Sequence, residues 1–241
     1  MSRRRLTVLG LLGAGLIAAG ALAGCASGAS SSPDPSTPVP DATDTAPTSE
    51  VGAAWLDAGR AIAVVTYGSS TCVPVVAGEL RAADGTLTVD LADPQTDVCS
   101  RDMAPRATFV PLPAGVDASQ ALEVTVTGAA EGQARLAGLA GAPATSDDMA
   151  PSAGWAGAST VAIVTYGSSS CVPRVESATV DGTRIAVRFA APPADQVCTM
   201  DYAPRVTLAD VDGEVAEGEA TVTLSGGGVA DAGPVPVLGT R

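Results

Sequence analysis

The feature that most constrains this fold is an internal repeat with a constant offset of 99 residues. Residues 66–74 spell Thr-Tyr-Gly-Ser-Ser-Thr-Cys-Val-Pro, and residues 165–173 repeat this with Ser in place of the second Thr. A second block, 98–106, recurs at 197–205 with Val-Cys, Asp, Ala-Pro and Arg at matching positions. Repetition at a fixed offset indicates two copies of one structural unit. We therefore expect two tandem domains, the first copy at 51–142 and the second copy at 154–241, with a linker at 143–153.

The cysteines predict one disulfide in each copy. Five are present, and the one at position 25 belongs to the leader discussed below. The remaining four, an even set, allow three pairings, but a duplicated unit that folds alone closes its own bridge. We expect each bridge, closing about 28 residues, to stabilise a small domain by about 3 to 4 kcal/mol. The predicted bridges are Cys72–Cys99 and Cys171–Cys198.

Period-two alternation of apolar residues predicts half-buried β-strands in both copies. The segments 61–67 and 161–166 are instead apolar on both faces, which is typical of a central strand covered on both sides. Asp-Gly pairs at 84–85 and 181–182 predict hairpin turns. Further strands are expected at 107–112, 134–139, 206–211 and 234–238. The alternating core positions are Leu87, Val89, Leu91, Leu122, Val124, Val126, Ile185, Val187 and Phe189.

These short strands, without a long helical pattern, predict an all-β protein. We expect two tandem small antiparallel β-sandwich domains, each with one disulfide. A partly open barrel satisfies the same pattern, and the residues leave both architectures open.

The N-terminal 25 residues predict a secreted lipoprotein. Three arginines at 3–5 precede an uncharged apolar run, and Leu-Ala-Gly-Cys ends at Cys25. This resembles the lipobox of bacterial lipoproteins, which implies a signal peptide at 1–24 and a palmitate-type diacylglyceryl anchor on Cys25. Residues 25–50 are rich in Ser, Thr and Pro and predict a disordered tether. The expected location is the extracytoplasmic face of the cell membrane.

Charge and residue types exclude several functions. Once the three arginines of the leader are removed, 10 basic residues remain against 26 acidic ones, a formal charge of −16. Such a surface repels nucleic acid. The chain has neither His nor Lys and no paired Cys-x-x-Cys spacing, so no metal site and no cofactor are expected.

Repeated polar residues beside the bridges are the first candidates for a site. Ser69, Ser70, Ser168 and Ser169 follow glycines, but a serine nucleophile needs a base, and the Gly-x-Ser-x-Gly elbow is absent. We therefore interpret them as turn residues.

Two acid–base pairs follow the second cysteines, Asp102 with Arg106 and Asp201 with Arg205. We expect each pair to form a salt bridge that orders its loop, with outward-facing binding of an anion or sugar as the alternative.

The only large amphipathic aromatics are Tyr67, Tyr166, Trp55, Trp155 and Tyr202. They are expected to fill the cores, the alternative being a carbohydrate-stacking surface.

Tyr-Gly-Ser-Ser-x-Cys-x-Pro followed by Cys-x-x-Asp-x-Ala-Pro-Arg resembles tandem repeats of actinobacterial surface lipoproteins whose function is uncharacterised. The resemblance implies a lipid-anchored extracytoplasmic β module and no catalytic residue.

Our first hypothesis is a non-catalytic surface module whose loops bind a protein, a cell-wall polymer or a small ligand. The candidate loop residues are Tyr67, Ser69, Ser70, Asp102 and Arg106 with Tyr166, Ser168, Ser169, Asp201 and Arg205. An extracytoplasmic enzyme or enzyme inhibitor using the Ser and Asp loops is the alternative, and a structural spacer is a third.

Overall fold

The computed structural model describes residues 50–96, 98–140, 149–229 and 232–241. Its regular structure there consists of β-strands and one short 3-10 turn at Asp57–Gly59, which confirms the predicted all-β class. The signal peptide, Cys25, the tether up to residue 49 and the first six residues of the predicted linker lie outside the described residues.

The first copy contains eight strands within 51–96 and 98–140, the part of it that the structure describes. They are β1 Gly52–Leu56, β2 Ala61–Gly68, β3 Val75–Val76, β4 Arg81–Ala83, β5 Thr86–Ala92, β6 Ala104–Pro111, β7 Leu122–Gly128 and β8 Gly132–Leu136.

The second copy contains seven strands among the described residues, and the first of them begins inside the segment predicted as a linker. They are β9 Ser152–Trp155, β10 Thr160–Gly167, β11 Val175–Asp181, β12 Arg184–Phe189, β13 Ala203–Asp210, β14 Thr221–Gly226 and β15 Pro234–Leu238.

The two copies arrange equivalent strands slightly differently. In the first copy, an antiparallel sheet β1-β2-β6 faces a second sheet, β3-β5-β7-β8, with β4 also paired to β5. In the second copy, β15 pairs with β9, so that one seven-stranded sheet runs in the order β11-β12-β14-β15-β9-β10-β13. Its end strands β11 and β13 contact each other. The described strands of the second copy therefore form one continuous sheet, whereas those of the first copy form two.

The sheets are mixed, which the sequence pattern did not predict. β5 pairs with β7 in parallel, and β12 pairs with β14 in the same way. Between β5 and β7 the chain crosses to the other sheet as β6, which runs back, so β7 returns in the direction of β5. A connection of this length allows the parallel pairing that a tight hairpin forbids.

The predicted alternating positions are all buried, at most 3% exposed, and form the core of each copy. The hairpin turns are also found. In the first copy both Asp84 (φ 50°) and Gly85 (φ 76°) adopt the left-handed conformation that the tightest hairpins require. In the second copy only Gly182 does so, at φ 64°.

The central strands β2 and β10 are covered on both faces, as predicted, and the second cover is the other copy. Ile62 and Val64 point into the core of the first copy, and Val161 and Ile163 point into that of the second. The alternate residues form a third buried cluster shared by both copies. Its members are Ala54, Leu56, Ala61, Ala63, Ala162 and Val164. The sheets β1-β2-β6 and β9-β10-β13 thus pack against each other.

Candidate binding loops

The repeated motifs assemble at the end of β2 and, in the second copy, at the end of β10. Gly68 lies opposite Ala104, and Gly167 lies opposite Ala203, in antiparallel ladders. Beyond these pairs the chain forms two disulfide-linked loops. We call residues 68–74 with 98–106 the first pole, and residues 167–173 with 197–205 the second pole.

Both predicted disulfides are present. Cys72 is bonded to Cys99 with a Cα–Cα distance of 5.5 Å, and Cys171 is bonded to Cys198 at 5.6 Å. Each bridge ties the loop after the central strand to the loop before β6 or β13. The assignment of one bridge to each copy is therefore confirmed.

Hydroxyl groups connect the two loops of the first pole. Ser69 Oγ lies 2.8 Å from Ser100 Oγ, and the Ser100 N–H donates to Thr71 Oγ1 at 2.8 Å. Within the first loop, the Cys72 N–H donates to the Ser69 carbonyl at 3.2 Å. The serines are thus engaged within the loop structure, in agreement with their interpretation as turn residues.

The second pole repeats this network with Thr199 in place of Ser100. Ser168 Oγ lies 2.8 Å from Thr199 Oγ1, and the Thr199 N–H donates to Ser170 Oγ at 3.0 Å. Our sequence analysis missed this hydroxyl position. The signal was a hydroxyl residue directly after the second cysteine in both copies.

Each aspartate of the repeat accepts hydrogen bonds from the same loops. The Ser70 N–H donates to Asp102 Oδ1 at 3.0 Å, and Ser100 Oγ also donates to this oxygen. In the second pole the Ser169 N–H donates to Asp201 Oδ1 at 3.1 Å, joined by Thr199 Oγ1.

These bonds favour the charged carboxylates. Hydrogen bonds from Ser100 and then Ser70 hold the pKa of Asp102 far below its usual value. Those from Ser169 and Thr199 lower the pKa of Asp201 to about 2. Carboxylates of such low basicity accept protons poorly at neutral pH, so neither is suited to act as a general base.

The predicted salt bridges are not formed, and this expectation was wrong. Among the described residues, neither Asp102 with Arg106 nor Asp201 with Arg205 makes an ion pair. The aspartates are satisfied by the loop amides and hydroxyls described above. The arginines point instead into their own copies, toward backbone carbonyls.

Each arginine holds the loop that follows the central strand. Arg106 Nη1 donates to the Cys72 carbonyl at 2.6 Å and to the Ser69 carbonyl at 3.4 Å, while its Nε donates to Thr66 Oγ1 at 3.3 Å. Arg205 donates to the Cys171 and Tyr166 carbonyls at 2.9 and 3.2 Å. The guanidinium groups therefore supply partners to carbonyls that no strand satisfies.

The arginine position explains the glycine in each motif. A Cβ on Gly68 would lie 2.7 Å from Arg106 Cζ, and one on Gly167 would lie 2.8 Å from Arg205 Cζ. Any other residue would displace the guanidinium from its carbonyl partners.

The aromatic residues do not form one surface. Trp55 and Trp155 are buried, and Trp55 Nε1 donates to the Ala137 carbonyl at 2.8 Å. Tyr67, directly before the first pole, and Tyr202, within the second pole, are exposed. Tyr202 stacks on Tyr166, which directly precedes the second pole, with ring centroids 6.2 Å apart. The tryptophans follow the core interpretation, whereas the tyrosines lie in or directly beside the poles.

Exposed apolar side chains surround the disulfides, and sequence analysis missed most of them. A valine precedes the second cysteine in each copy, and methionines or a tyrosine follow it. These residues are Val98 and Met103 at the first pole, and Val197, Met200 and Tyr202 at the second. The available signal was the presence of Val and Met in loops that otherwise contain Asp, Pro, Gln and Thr.

No family model, curated protein or solved structure matches the chain. In the described ranges, no helix has the length and apolarity needed to cross a membrane. The same residues contain no group of three or more Cys, Asp or Glu side chains arranged to hold a metal ion.

Proposed function

We propose that this chain is a membrane-anchored extracytoplasmic lipoprotein whose poles form a non-catalytic binding module. One observation carries the proposal. Both poles present large apolar side chains to solvent on loops fixed by a disulfide, an arginine and a hydroxyl network.

The degree of exposure is high for apolar residues. Val98 and Met103 are 80% and 78% exposed, and Val197 and Met200 are 89% and 101% exposed. Exposed apolar side chains that share one surface mark interaction sites in folded proteins, and each pole carries two or more of them close in sequence to its second cysteine. Because the loops are already fixed, binding through them loses little conformational entropy.

The polar groups of the poles support a binding role over catalysis. The serine hydroxyls bond one another and the aspartates, and the arginines bond backbone carbonyls. A nucleophilic serine needs a base within reach, and the carboxylates beside these serines have lowered pKa values. An enzyme that used these loops would have to break the network that holds them.

The disulfides support the extracytoplasmic part of the proposal. Structural disulfides persist in oxidising compartments and are rare in reducing ones. The lipobox-like sequence ending at Cys25 supplies the anchor, with two acyl chains giving stable attachment.

Binding can be tested with the fragment 51–241 immobilised and exposed to cell-wall fractions and to secreted proteins of the producing organism. A variant carrying Val98→Ser, Met103→Ser, Val197→Ser and Met200→Ser should lose at least ten-fold of the specific retention. Met149→Ser, which alters an exposed methionine outside the poles, is the matched control and should retain the wild-type level. Equal retention by the pole variant would overturn the binding role.

The anchor is tested separately by labelling cells with radioactive palmitate. Label should appear on the wild-type chain and vanish in Cys25→Ser. Label that survives this substitution contradicts lipidation at Cys25.

A further inference from the structure

The direction in which the two copies meet fixes where the poles lie. A Cβ placed on Gly52 would be 3.3 Å from the Ala156 carbonyl oxygen, near the end of β9. At the other end of the contact, the Asp57 N–H donates to Ser152 Oγ at 2.8 Å. The start of β1 therefore meets the end of β9, and the end of β1 meets the start of β9. The two strands run in opposite directions across the interface.

The central strands β2 and β10 are related in the same way. β2 is antiparallel to β1, and β10 is antiparallel to β9, so β2 and β10 also run in opposite directions. Each pole begins where its central strand ends, at Gly68 or Gly167. The first and second poles consequently lie at opposite ends of the packed sheets, as in an arrangement with approximate two-fold symmetry.

We propose that one chain bridges two molecules of the same protein partner, one held at each pole. This inference rests on the proposed binding function. The poles share the same hydrogen-bond network and an exposed valine before the second cysteine, Val98 or Val197, so both should fit one kind of partner. Because they lie at opposite ends, they cannot both engage one flat surface.

The chemistry of the poles defines the partner. Val197 and Met200 are almost fully exposed, so a partner that buries them must present an apolar pocket shaped around them. Without the leader the chain has 26 acidic against 10 basic residues, whereas the poles themselves contain three arginines and two aspartates. These charges favour a partner with an uncharged pocket and a net positive charge outside it. The net negative charge of the chain disfavours an anionic lipid surface as the ligand.

Site-specific photocrosslinking with the full-length lipidated chain, in the cells that produce it, tests whether one chain joins two partner molecules. The probe is benzoylphenylalanine, introduced at Met103, at Tyr202 or at both. These positions are equivalent in the repeat, both side chains are exposed, and the probe keeps an aromatic ring at Tyr202. Met149, exposed outside the poles, is the control position, and Met200 is a second position should the Tyr202 variant fail to fold.

If one chain joins two partner molecules, each single probe should yield the chain crosslinked to one protein, and mass spectrometry should identify the same protein at both poles. The double probe should yield the chain crosslinked to two such proteins. The control should yield neither product. If only one pole crosslinks, or if the double variant never carries more than one partner, the proposal that one chain joins two partner molecules is overturned, although the binding function stands. Absence of any specific product at both poles overturns the binding function as well. Products that consist of two copies of this chain, or of the chain joined to lipid, overturn the proposed partner.

Discussion

The two poles and the interface between the copies contrast in how closely the repeat is kept. At the poles, equivalent residues make equivalent contacts, such as Arg106 to the Cys72 carbonyl and Arg205 to the Cys171 carbonyl. When β1 and β9 are aligned on Trp55 and Trp155, which are 100 positions apart, equivalent interface positions carry different residues, with Ala54 in β1 where β9 has Gly154. Leu56 is likewise matched by Ala156.

The contrast has a geometric cause. A pole packs only within its own copy, so one set of residues satisfies both poles. At the interface the space available differs between equivalent positions of β1 and β9, as Gly154 shows. The backbone of β1 comes so close to β9 that a Cβ on Gly154 would lie 2.0 Å from the Trp55 carbonyl oxygen. The second copy therefore contains a glycine that the first copy does not need.

The largest effect is expected from removing a disulfide. Cys72→Ala with Cys99→Ala should lower the free energy of unfolding by about 3 to 4 kcal/mol, since a loop of about 28 residues becomes open in the unfolded chain. The Cys171–Cys198 disulfide closes the same span, 27 positions. Cys171→Ala with Cys198→Ala should therefore lower the free energy of unfolding by the same amount. Urea unfolding of the fragment 51–241 measures both. A difference above about 1 kcal/mol would show that the poles are not equivalent.

The next largest effect is expected at the close approach of β1 and β9. Gly154→Ala should cost about 2 to 3 kcal/mol, because the new methyl group meets a backbone oxygen that cannot move without shifting β1. Gly157→Ala is the matched control. Its Cβ would meet nothing nearer than 3.9 Å, so thermal unfolding should be almost unchanged. Equal melting temperatures for both variants would contradict the tight packing of the copies.

Much of this architecture was predictable because its signals are local. The alternation of Leu87, Val89 and Leu91 needs only a pleated strand with one buried face. The bridges followed from the repeat and from the parity of the cysteines. The strand at 61–67, apolar on both faces, was also predicted to be covered on both sides, although the sequence did not show that the other copy covers one of them.

The remainder depends on contacts distant in sequence. Nothing in the string around Ala61 and Ala63 shows that small residues face the other copy while Ile62 and Val64 face their own core. The predicted ion pair between Asp102 and Arg106 does not form, because a separation of four positions does not show in which direction each side chain points. The aspartate precedes β6, whereas the arginine lies within it and points back under the loop.

A smaller effect should separate the two arginines. Arg106→Ala removes charge-assisted hydrogen bonds to the Cys72 and Ser69 carbonyls and should cost about 2 kcal/mol. Arg205 is partly desolvated, which lowers its pKa, and its buried Nε has no hydrogen-bond partner among the described residues. Arg205→Ala should therefore cost less. Chemical denaturation of both variants tests this order, and a greater loss for Arg205→Ala would contradict it.

The smallest effect is expected on the pH dependence of the melting temperature in acid. The pKa values of Asp102 and Asp201 are lowered in the folded chain by hydrogen bonds from the loops, to about 2 for Asp201. A lowered folded pKa contributes stability that is present above the unfolded value of 3.8 and is lost as the pH falls through the folded pKa. The melting temperature should therefore fall between about pH 4 and pH 2. It should fall less steeply in Asp102→Asn, which keeps an oxygen acceptor but cannot titrate. Asp84→Asn, in the hairpin turn between β4 and β5, is the control and should follow the wild-type curve. If the slopes of Asp102→Asn and wild type coincide over that range, the loop hydrogen bonds do not favour the carboxylate.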